Sequence, residues 1–286
     1  MKILMTGATG EFASLVLPEL INKQIIIRAL VRSDEKAATA EERGAQEVVI
    51  GDLNDAESLK AAAKDVDGVF YLNPGFSPNE DRQGVAMVEA AVAAGVTKFV
   101  FSSVYHPSLS LVNHARKRPV EEALYDSGLN FVILQPSMFM QNLDAGWGKI
   151  AETGKFALPY SKQSKMSYID YRDVAESIFM AFTTDKLDYG TFELSATGML
   201  TREELAGMMS EALSRPVEAI EPAFDEWAQL VKIPVGPLYD GLKAMYNNYD
   251  RYGFHGGNSL VLNAVLGKEP RSMKDYLQEL VSRQAL

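Results

Sequence analysis

A glycine-containing turn close to the start of the chain restricts the fold more than any other feature of the sequence. The apolar run at residues 3–5 has the character of a buried parallel strand, and Gly7 and Gly10 follow it. A helical pattern of apolar residues begins directly after Gly10. A strand, a glycine turn and a helix N-terminus in this order can hold a diphosphate, because glycine permits close backbone approach and unpaired helix N–H groups face the anion. The alternative is a tight turn between strand and helix, as in any α/β protein.

Strand and helix patterns alternate along the first half of the chain. The predicted strands cover residues 2–6, 25–31, 46–50, 66–72, 97–102 and 130–135, and the predicted helices cover about 10–23, 34–43, 55–63, 80–95 and 112–128. Alternation at this spacing predicts a parallel sheet with right-handed crossovers and helices on both faces. We therefore expect a doubly wound α/β sheet, the Rossmann fold, with a smaller C-terminal α/β lobe.

The strand–helix rhythm changes after Pro136, which suggests a boundary between two parts of the chain. We expect residues 1–136 to form a dinucleotide-binding core and residues 137–286 to form a smaller substrate lobe. A strand-to-helix passage within the second part indicates that a segment at about 165–195 returns to the core.

Short motifs predict where several helices begin and end. Reciprocal caps predict helix starts at two pairs, Asn54 with Glu57 and Thr201 with Glu204. Glycines lie where two helices should end, at Gly95 and Gly128. Asp170 and Asp173 favour a helix start, where carboxylates suit the helix dipole, over a catalytic carboxylate pair.

Composition excludes several classes of function. The net charge of −10 and the lack of a basic cluster argue against a nucleic-acid surface. The chain has no cysteine, which excludes disulfides, thiolate metal sites and a cysteine nucleophile, and three histidines are too few for a His-rich metal site. No window approaches the roughly 18 uninterrupted apolar residues of a membrane span. The N-terminus has no secretory pattern, so we expect a cytoplasmic protein with no membrane contact and no metal.

The residues that follow the predicted strands are candidates for contacts with a bound dinucleotide, because doubly wound sheets bind ligands at the carboxyl ends of their strands. Arg32 follows the second strand, where an arginine accommodates a 2′-phosphate, so NADP is favoured over NAD. The alternative is a surface arginine beside a helix cap at Ser33. Asp52 can reach an adenine amino group or can cap the next helix beside Asn54. The turn-forming residues 73–75 let a cofactor pass close to the backbone.

Motifs spread along the chain resemble those of atypical short-chain dehydrogenases/reductases. They are Thr-Gly-Ala-Thr-Gly at 6–10, Leu-Val-Arg at 30–32, Gly-Asp-Leu at 51–53 and Ser-Ser at 102–103. Two segments, 114–121 and 135–142, are similar to the His-x-x-Lys-x-x-Val-Glu and Arg-Pro-x-x-Phe-Met-x-Asn patterns of the NmrA-like branch. The resemblance covers essentially the whole chain, including Asp-Tyr-Arg-Asp-Val-Ala at 170–175.

The resemblance implies a role for each matching residue around a bound dinucleotide. The pyrophosphate would be wrapped by Gly7, Thr9, Gly10, Glu11 and Phe12. The 2′-phosphate would meet Arg32, the adenine would meet Asp52 and Leu53, and the adjoining ribose would meet Asn73, Pro74 and Gly75. The nicotinamide half would be lined by Ser102, Lys117, Pro136 and Phe139.

The proton donor of ordinary short-chain dehydrogenases is missing. Those enzymes place a tyrosine four residues before the lysine, and Asn113 stands at that position relative to Lys117. A quinone or a conjugated cationic dye spreads the charge that hydride brings, so water can protonate the product later. Lys117 would then fix the ribose and supply positive charge. His114 and Tyr105 are the other candidate catalytic groups, with a hydrogen-bonded helix histidine and a packing tyrosine as the alternatives.

Two functions therefore stay open. The first is an NADPH-dependent oxidoreductase that transfers hydride to a quinone-like or conjugated aromatic acceptor without the usual Tyr-x-x-x-Lys acid. The second is an NADP(H)-sensing regulator that binds the dinucleotide and a protein partner without turnover. A sugar-nucleotide epimerase-like activity is disfavoured because the tyrosine is missing. We expect a monomer or a homodimer.

Overall fold

The predicted alternation of strands and helices is confirmed. The computed structural model describes residues 1–21, 24–73 and 75–284. The strands are β1 (Lys2–Thr6), β2 (Ile26–Val31), β3 (Glu47–Ile50), β4 (Gly68–Leu72), β5 (Lys98–Ser102), β6 (Asn130–Pro136), β7 (Met138–Phe139), β8 (Lys155–Ala157), β9 (Met166–Ile169), β10 (Gly190–Leu194), β11 (Met199–Leu200) and β12 (Glu218–Ile220). The helices are α1 (Ala13–Ile21), α2 (Asp34–Glu42), α3 (Ala56–Ala63), α4 (Glu80–Ala93), α5 (Val112–Ala115), α6 (Arg118–Asp126), α7 (Asp144–Thr153), α8 (Tyr171–Thr183), α9 (Arg202–Leu213), α10 (Phe224–Leu230), α11 (Pro237–Tyr252), α12 (Leu260–Leu266) and α13 (Met273–Gln284), with a 3₁₀ helix at Met140–Leu143.

Seven strands form one sheet in the order β10-β6-β5-β4-β1-β2-β3. Each neighbouring pair between β6 and β3 is parallel. The chain leaves β1 towards β2 and β3 and returns at β4 on the other side of β1, so the strand order reverses between β1 and β4. This is the doubly wound fold that the sequence predicts, and ligands of such sheets bind beside the reversal.

The central strands are apolar along their length because helices cover both faces of the sheet. In β1, Ile3 and Leu4 are fully buried. On one face of the sheet, the ring centroid of Tyr71 lies 6.2 Å from that of Phe99 and 6.0 Å from that of Phe101. Residues of α3, α4 and α6 pack over these rings. Full burial of side chains of this size stabilises the fold by about 1.5–3 kcal/mol each.

The chain divides into two compact units. The first contains Met1–Pro136 and Tyr171–Glu193, and the second contains Ser137–Asp170 and Leu194–Leu286. Helix α8 and most of β10 thus belong to the unit that holds the parallel sheet. That the first unit binds a dinucleotide and the second a substrate stays a prediction.

The second unit is built from small sheets and helices. One sheet has the order β11-β9-β7 and another pairs β12 with β8. Its aromatic residues mostly pack on one another, as in Trp227 with Tyr246 and Phe224 with Tyr239, where both ring centroids lie 5.1 Å apart. No helix within the described residues combines the length and the apolar character needed to cross a membrane.

Some helix boundaries follow the predicted caps and others do not. Ser33 caps α2 by accepting a hydrogen bond from the Lys36 N–H, and Thr201 and Glu204 form the predicted capping box of α9. The predicted Asn54–Glu57 cap is wrong, because Asp55 accepts the Glu57 N–H at 3.1 Å and caps α3. The side chain of Asn54 makes other contacts, described below.

Two helices differ from the sequence prediction. Helix α1 begins at Ala13 rather than at about residue 10, so the turn before it is longer than expected. The single helix predicted at 112–128 is two helices, α5 and α6, which are separated at Arg116 and Lys117. Pro119 lies in the first turn of α6, where its missing N–H costs nothing, but it could not continue a helix from α5.

Close packing of α4 on α6 gives a test of the fold. A Cβ atom at Gly84 in α4 would lie 2.3 Å from Val120 Cγ2 and 3.3 Å from Tyr71 Cε1. We expect Gly84→Ala to lower the free energy of unfolding by about 1–2 kcal/mol, because an overpacking cost of about 1–3 kcal/mol exceeds the helix propensity that alanine adds. Urea denaturation followed by circular dichroism measures the change.

Gly207→Ala is the matched control, because Gly207 is inside α9 and a Cβ there meets no atom within 4 Å. This variant should gain about 0.5–1 kcal/mol from helix propensity alone. If both alanine variants were equally stabilised, the close contact between α4 and α6 would be contradicted.

Candidate functional site

Because β1, β2, β3, β4, β5 and β6 are parallel, their carboxyl ends lie at one edge of the first unit, which we call the carboxyl edge. The residues at this edge come from six separate parts of the sequence and include most of the predicted cofactor-binding residues. One residue from each part, in chain order, is Gly7, Arg32, Asp52 and Asn73, which follow β1 to β4, and Ser102 and Pro136, which are the last residues of β5 and β6. The carboxyl edge is therefore the region in which a ligand of this sheet would bind.

The glycine turn lies against the end of β4. Gly7 has a φ of +74°, and the Gly10 N–H donates to the Gly7 carbonyl at 2.7 Å. The Thr6 hydroxyl donates to the Leu72 carbonyl at 3.1 Å and accepts from the Leu72 N–H at 2.9 Å. A Cβ at position 7 would lie 3.4 Å from Leu72 Cδ2. A side chain there would need both a strained φ and space beside Leu72, so glycine suits the position.

An aromatic pair extends the turn towards β5. The ring of Phe12 lies 5.2 Å from the ring of Tyr171, which is the first residue of α8. Burial raises the pKa of the Tyr171 phenol well above its usual value, and the neighbouring Ser102 hydroxyl opposes that shift. Tyr171 belongs to this edge, although nothing in the sequence distinguishes it from the rest of its motif.

Arg32 and Asp52 face each other at the ends of β2 and β3. Hydrogen bonds from the backbone and side chain of Asn54, both 2.9 Å long, lower the pKa of the Asp52 carboxyl, and the charge of Arg32 adds to the effect. Both side chains are exposed. The geometry thus keeps a basic and an acidic group available together, and their roles towards a cofactor stay predictions.

Asn54 connects the end of β3 to the start of α4. Its side-chain oxygen accepts hydrogen bonds from Asn79 at 3.2 Å and from Gln83 at 3.0 Å. Asn73, after β4, donates to the Glu80 carbonyl at 2.7 Å. These contacts hold the residues after β3 and β4 together.

The remaining residues predicted for the adenosine half differ in their surroundings. Leu53 is partly buried and packs against the core under α3 and α4. Gly75 is exposed, and a Cβ at this position would meet no atom within 4 Å. Pro74 lies outside the described residues.

Lys117 forms a buried ion pair. Its Nζ lies 2.5 Å from Glu80 Oε1, with the lysine side chain 8% exposed and the glutamate side chain fully buried. Burial lowers the pKa of the Lys117 ammonium, while the charges of Glu80 and Glu121 act in the opposite direction. Sequence reasoning missed Glu80, because nothing in the pattern connects it to a lysine 37 positions later.

Glu121 holds the ends of two strands. Its Oε1 accepts hydrogen bonds from the Ser103 hydroxyl at 2.5 Å and from the Gln135 side chain at 2.8 Å. Glu121 also lies one helical turn after Lys117. Glu80, Lys117 and Glu121 therefore form a buried charged cluster that joins α4 and α6 to the ends of β5 and β6.

His114 is held in a neutral form. It is 1% exposed, and its Nδ1 lies 3.1 Å from the His106 carbonyl, so Nδ1 carries the proton and donates. Burial lowers the pKa of His114 from 6.5 to about 4, although hydrogen bonds to the backbone at His106 and Tyr105 oppose this. At neutral pH, Nε2 therefore has a lone pair and no proton to give.

Tyr105 is also a poor acid in this setting. Burial, and secondly the charge of Glu193, raise the pKa of its phenol above 10. Its ring packs against the His106 ring at 4.2 Å between centroids, and His106 Nδ1 lies 3.0 Å from Glu193 Oε1. Its backbone N–H donates to the Pro136 carbonyl at 3.0 Å. The packing interpretation of Tyr105 thus fits this environment.

The structure also describes three other residues singled out in the sequence. Phe139 is a partly buried residue of β7 in the second unit. Asp170 is fully buried in the second unit and accepts a hydrogen bond from Gln141 at 2.8 Å, whereas Asp173 is in the first turn of α8 in the first unit. Among the described ranges, no group of three or more His, Cys, Asp or Glu side chains is arranged to hold a metal ion.

Comparison with known proteins finds relatives over most of the chain. The sequence profile of the NmrA-like family matches residues 1–277. The NAD(P)H azoreductase of Xenophilus azovorans is 31% identical over 236 residues, which are 79% of each protein. The photosystem II assembly factor Ycf39 of Cyanophora paradoxa is 28% identical over 259 residues, 79% of this chain and 77% of the relative. The NADPH complex of the NADPH-dependent quinone oxidoreductase QOR2 from Escherichia coli has the same fold, with a TM-score of 0.82 and 22% identity over 97% of this chain and 99% of that chain.

The neutral state of His114 predicts a pH dependence of stability. Because its pKa is lower in the folded chain than in the unfolded chain, the stabilisation is present above about pH 6.5 and is lost as the pH falls towards 4. Protonating His114 inside the fold therefore costs about 3 kcal/mol. His114→Asn keeps an N–H donor for the His106 carbonyl and removes the titration.

Urea denaturation between pH 6.5 and pH 4 should therefore show a smaller loss of stability in His114→Asn than in the unmodified protein. His255→Asn, at an exposed position, is the matched control and should follow the unmodified protein. Parallel curves for all three proteins would contradict the neutral buried state.

Proposed function

The chain belongs to the NmrA-like family, and we propose that it is an NADPH-dependent oxidoreductase that transfers hydride to a quinone-like or conjugated aromatic acceptor. The observation that carries the proposal is the meeting, at the carboxyl edge, of an open glycine turn, Arg32 and the buried Lys117. The azoreductase relative supports both the nicotinamide cofactor and the conjugated acceptor of this proposal, since it is named for NAD(P)H and for the reduction of azo compounds.

The residues of the carboxyl edge fit a dinucleotide. Gly7 and Gly10 are exposed and leave the backbone open to a diphosphate. The side-chain oxygen of Asn73 is buried, and no donor for it is found in the part of the chain that the structure describes. A ribose hydroxyl can satisfy this acceptor. Arg32 would hold the 2′-phosphate, which is why NADP(H) is favoured over NAD(H), and Asp52 would hold the adenine amino group.

In this proposal the bound NADPH supplies the hydride, and the residues of the chain hold and orient the reactants. Lys117 fixes the nicotinamide ribose, and its ammonium stabilises negative charge that develops on the acceptor. Glu80 keeps that ammonium in place. Ser102 and Pro136 would line the nicotinamide half.

Protonation of the product falls to water. Asn113 replaces the usual tyrosine, His114 has no proton on Nε2 at neutral pH, and burial raises the pKa of Tyr105. A conjugated acceptor tolerates this, because it can delocalise the added electron pair until solvent delivers a proton. An isolated ketone would need an acid in the transition state. The acceptor class therefore follows from the missing donor.

The same missing donor favours one alternative, an NADP(H)-sensing regulator that binds a protein partner without turnover. A relative named as a photosystem II assembly factor is consistent with non-enzymatic roles among similar proteins. The cytoplasmic location and the monomeric or homodimeric state stay predictions.

Turnover is tested by following NADPH absorbance with a panel of quinones, azo dyes and triphenylmethane dyes. We expect Lys117→Met to lower kcat by about a hundredfold or more, because it removes a charge placed where the transition state develops charge. The double variant Glu80→Gln/Lys117→Met also removes the Glu80 carboxylate that would lose its ion partner, while Glu121 keeps its hydrogen bonds from Ser103 and Gln135. It should recover stability without recovering turnover.

Lys98→Met is the matched control, because Lys98 forms a half-buried ion pair with Asp188 at 2.6 Å and begins β5 at the opposite edge of the sheet. It should lose stability and keep kcat. Full turnover in Lys117→Met would remove the catalytic role of that residue. NADPH binding without oxidation by any acceptor would favour the sensing alternative.

Cofactor preference is tested by titration calorimetry with NADP and NAD. We expect Arg32→Ala to weaken NADP binding about tenfold or more and to leave NAD binding nearly unchanged, because only NADP carries the 2′-phosphate. Arg82→Ala, at an exposed position of α4, controls for the loss of one positive charge. Tighter binding of NAD than of NADP by the unmodified protein would show that the interpretation of Arg32 is wrong.

A further inference from the structure

An arginine from another helix contacts the glycine turn. Arg43 directly follows α2, and its Nη1 donates to the Gly10 carbonyl at 2.7 Å and lies 3.4 Å from the Ala8 carbonyl. The contact joins residues that are 33 and 35 positions apart in the chain. It is the type of long-range contact that a local sequence motif cannot reveal.

The contact fixes the direction of two peptide units. All peptide bonds in the described residues are trans. In a trans peptide, the carbonyl of one residue and the N–H of the next point in opposite directions. With the Ala8 and Gly10 carbonyls turned towards Arg43, the N–H groups of Thr9 and Glu11 point away from it.

Those two N–H groups are not used by the described part of the chain. The hydrogen bonds of the turn include the Gly10 N–H to the Gly7 carbonyl, but neither Thr9 nor Glu11 donates a backbone hydrogen bond. Both groups are therefore aligned on the side of the turn opposite Arg43, where an anion can accept from them.

We propose that Arg43 is a positioning residue for the diphosphate of the cofactor, acting by holding the turn so that the Thr9 and Glu11 N–H groups face the anion. The inference rests on the proposed dinucleotide-binding function. Arg43 reaches the turn from the carbonyl side, so its effect is transmitted through the two peptide planes. It has no part in hydride transfer.

The diphosphate is common to NAD and NADP, so this role differs from that of Arg32. Loss of Arg43 weakens the binding of both cofactors by the same factor, whereas loss of Arg32 weakens the binding of NADP alone. The ratio of the two dissociation constants separates the two arginines.

The test measures dissociation constants for NADPH and NADH by titration calorimetry on full-length variants. Arg43→Gln should raise both constants by about tenfold, the effect of losing one hydrogen bond to a charged donor. Arg43→Lys keeps the charge but has a single donor group, so it should recover part of the affinity for both cofactors. At saturating NADPH, kcat should be unchanged in both variants.

Arg215→Gln is the matched control. Arg215 Nη1 donates to the Ala151 and Glu152 carbonyls at 2.6 and 3.2 Å, which is the same kind of contact at the end of α7 in the second unit. This variant should lose stability as Arg43→Gln does and should bind both cofactors normally.

Each outcome decides the point. Unchanged binding of both cofactors by Arg43→Gln would overturn the positioning role and leave the proposed function intact. A loss confined to NADPH would also overturn it, since Arg43 would then contact the 2′-phosphate. If the unmodified protein bound neither cofactor, the proposed function itself would fail.

Discussion

Parallel pairing of the first six strands is the constraint on which the rest of the structure depends. Parallel neighbours require a crossover, so each helix returns the chain to the amino edge and each strand ends at the same edge. The glycine turn, Arg32, Asp52 and Asn73 come together there for this reason alone. The apolar strands supply the driving force, and the short polar segments after them are placed as a consequence.

The buried cluster of Glu80, Lys117 and Glu121 shows how that edge is held. Glu80 begins α4 and Glu121 is in the first turn of α6, where the positive end of the helix dipole favours a carboxylate. Lys117 is at the same end of α6, where the helix dipole disfavours an ammonium. The two carboxylates therefore have to stabilise the charged form of Lys117. Removing one member of such a buried pair typically costs about 3–5 kcal/mol. The arrangement specifies how α4 and α6 meet the ends of β5 and β6.

The sequence was sufficient for features that depend on local patterns and insufficient for those that depend on distant contacts. Apolar runs located the strands to within about two residues, and the Ser33 cap and the Thr201–Glu204 box were found because their partners are three residues away. Asn54 was assigned to the wrong contact, since its partners Asn79 and Gln83 lie at the start of another helix, α4. The ion partner of Lys117, the position of Tyr171 and the contact of Arg43 with the turn depend on tertiary packing, which no spacing rule contains.

The link between Thr6 and Leu72 has a consequence for how a fold of this kind can change. Backbone pairing of β1 with β4 extends from Ile3 opposite Gly68 to Met5 opposite Phe70 and stops there. One hydroxyl group, which both donates to and accepts from Leu72, takes the place of the next rung. A single side chain, which need not touch any ligand, therefore sets how far the link between β1 and β4 extends towards the carboxyl edge. A valine of the same shape can make neither hydrogen bond. One amino-acid substitution at this position would therefore shorten the link between the two strands at the reversal, while every residue predicted to contact the ligand stayed as it was.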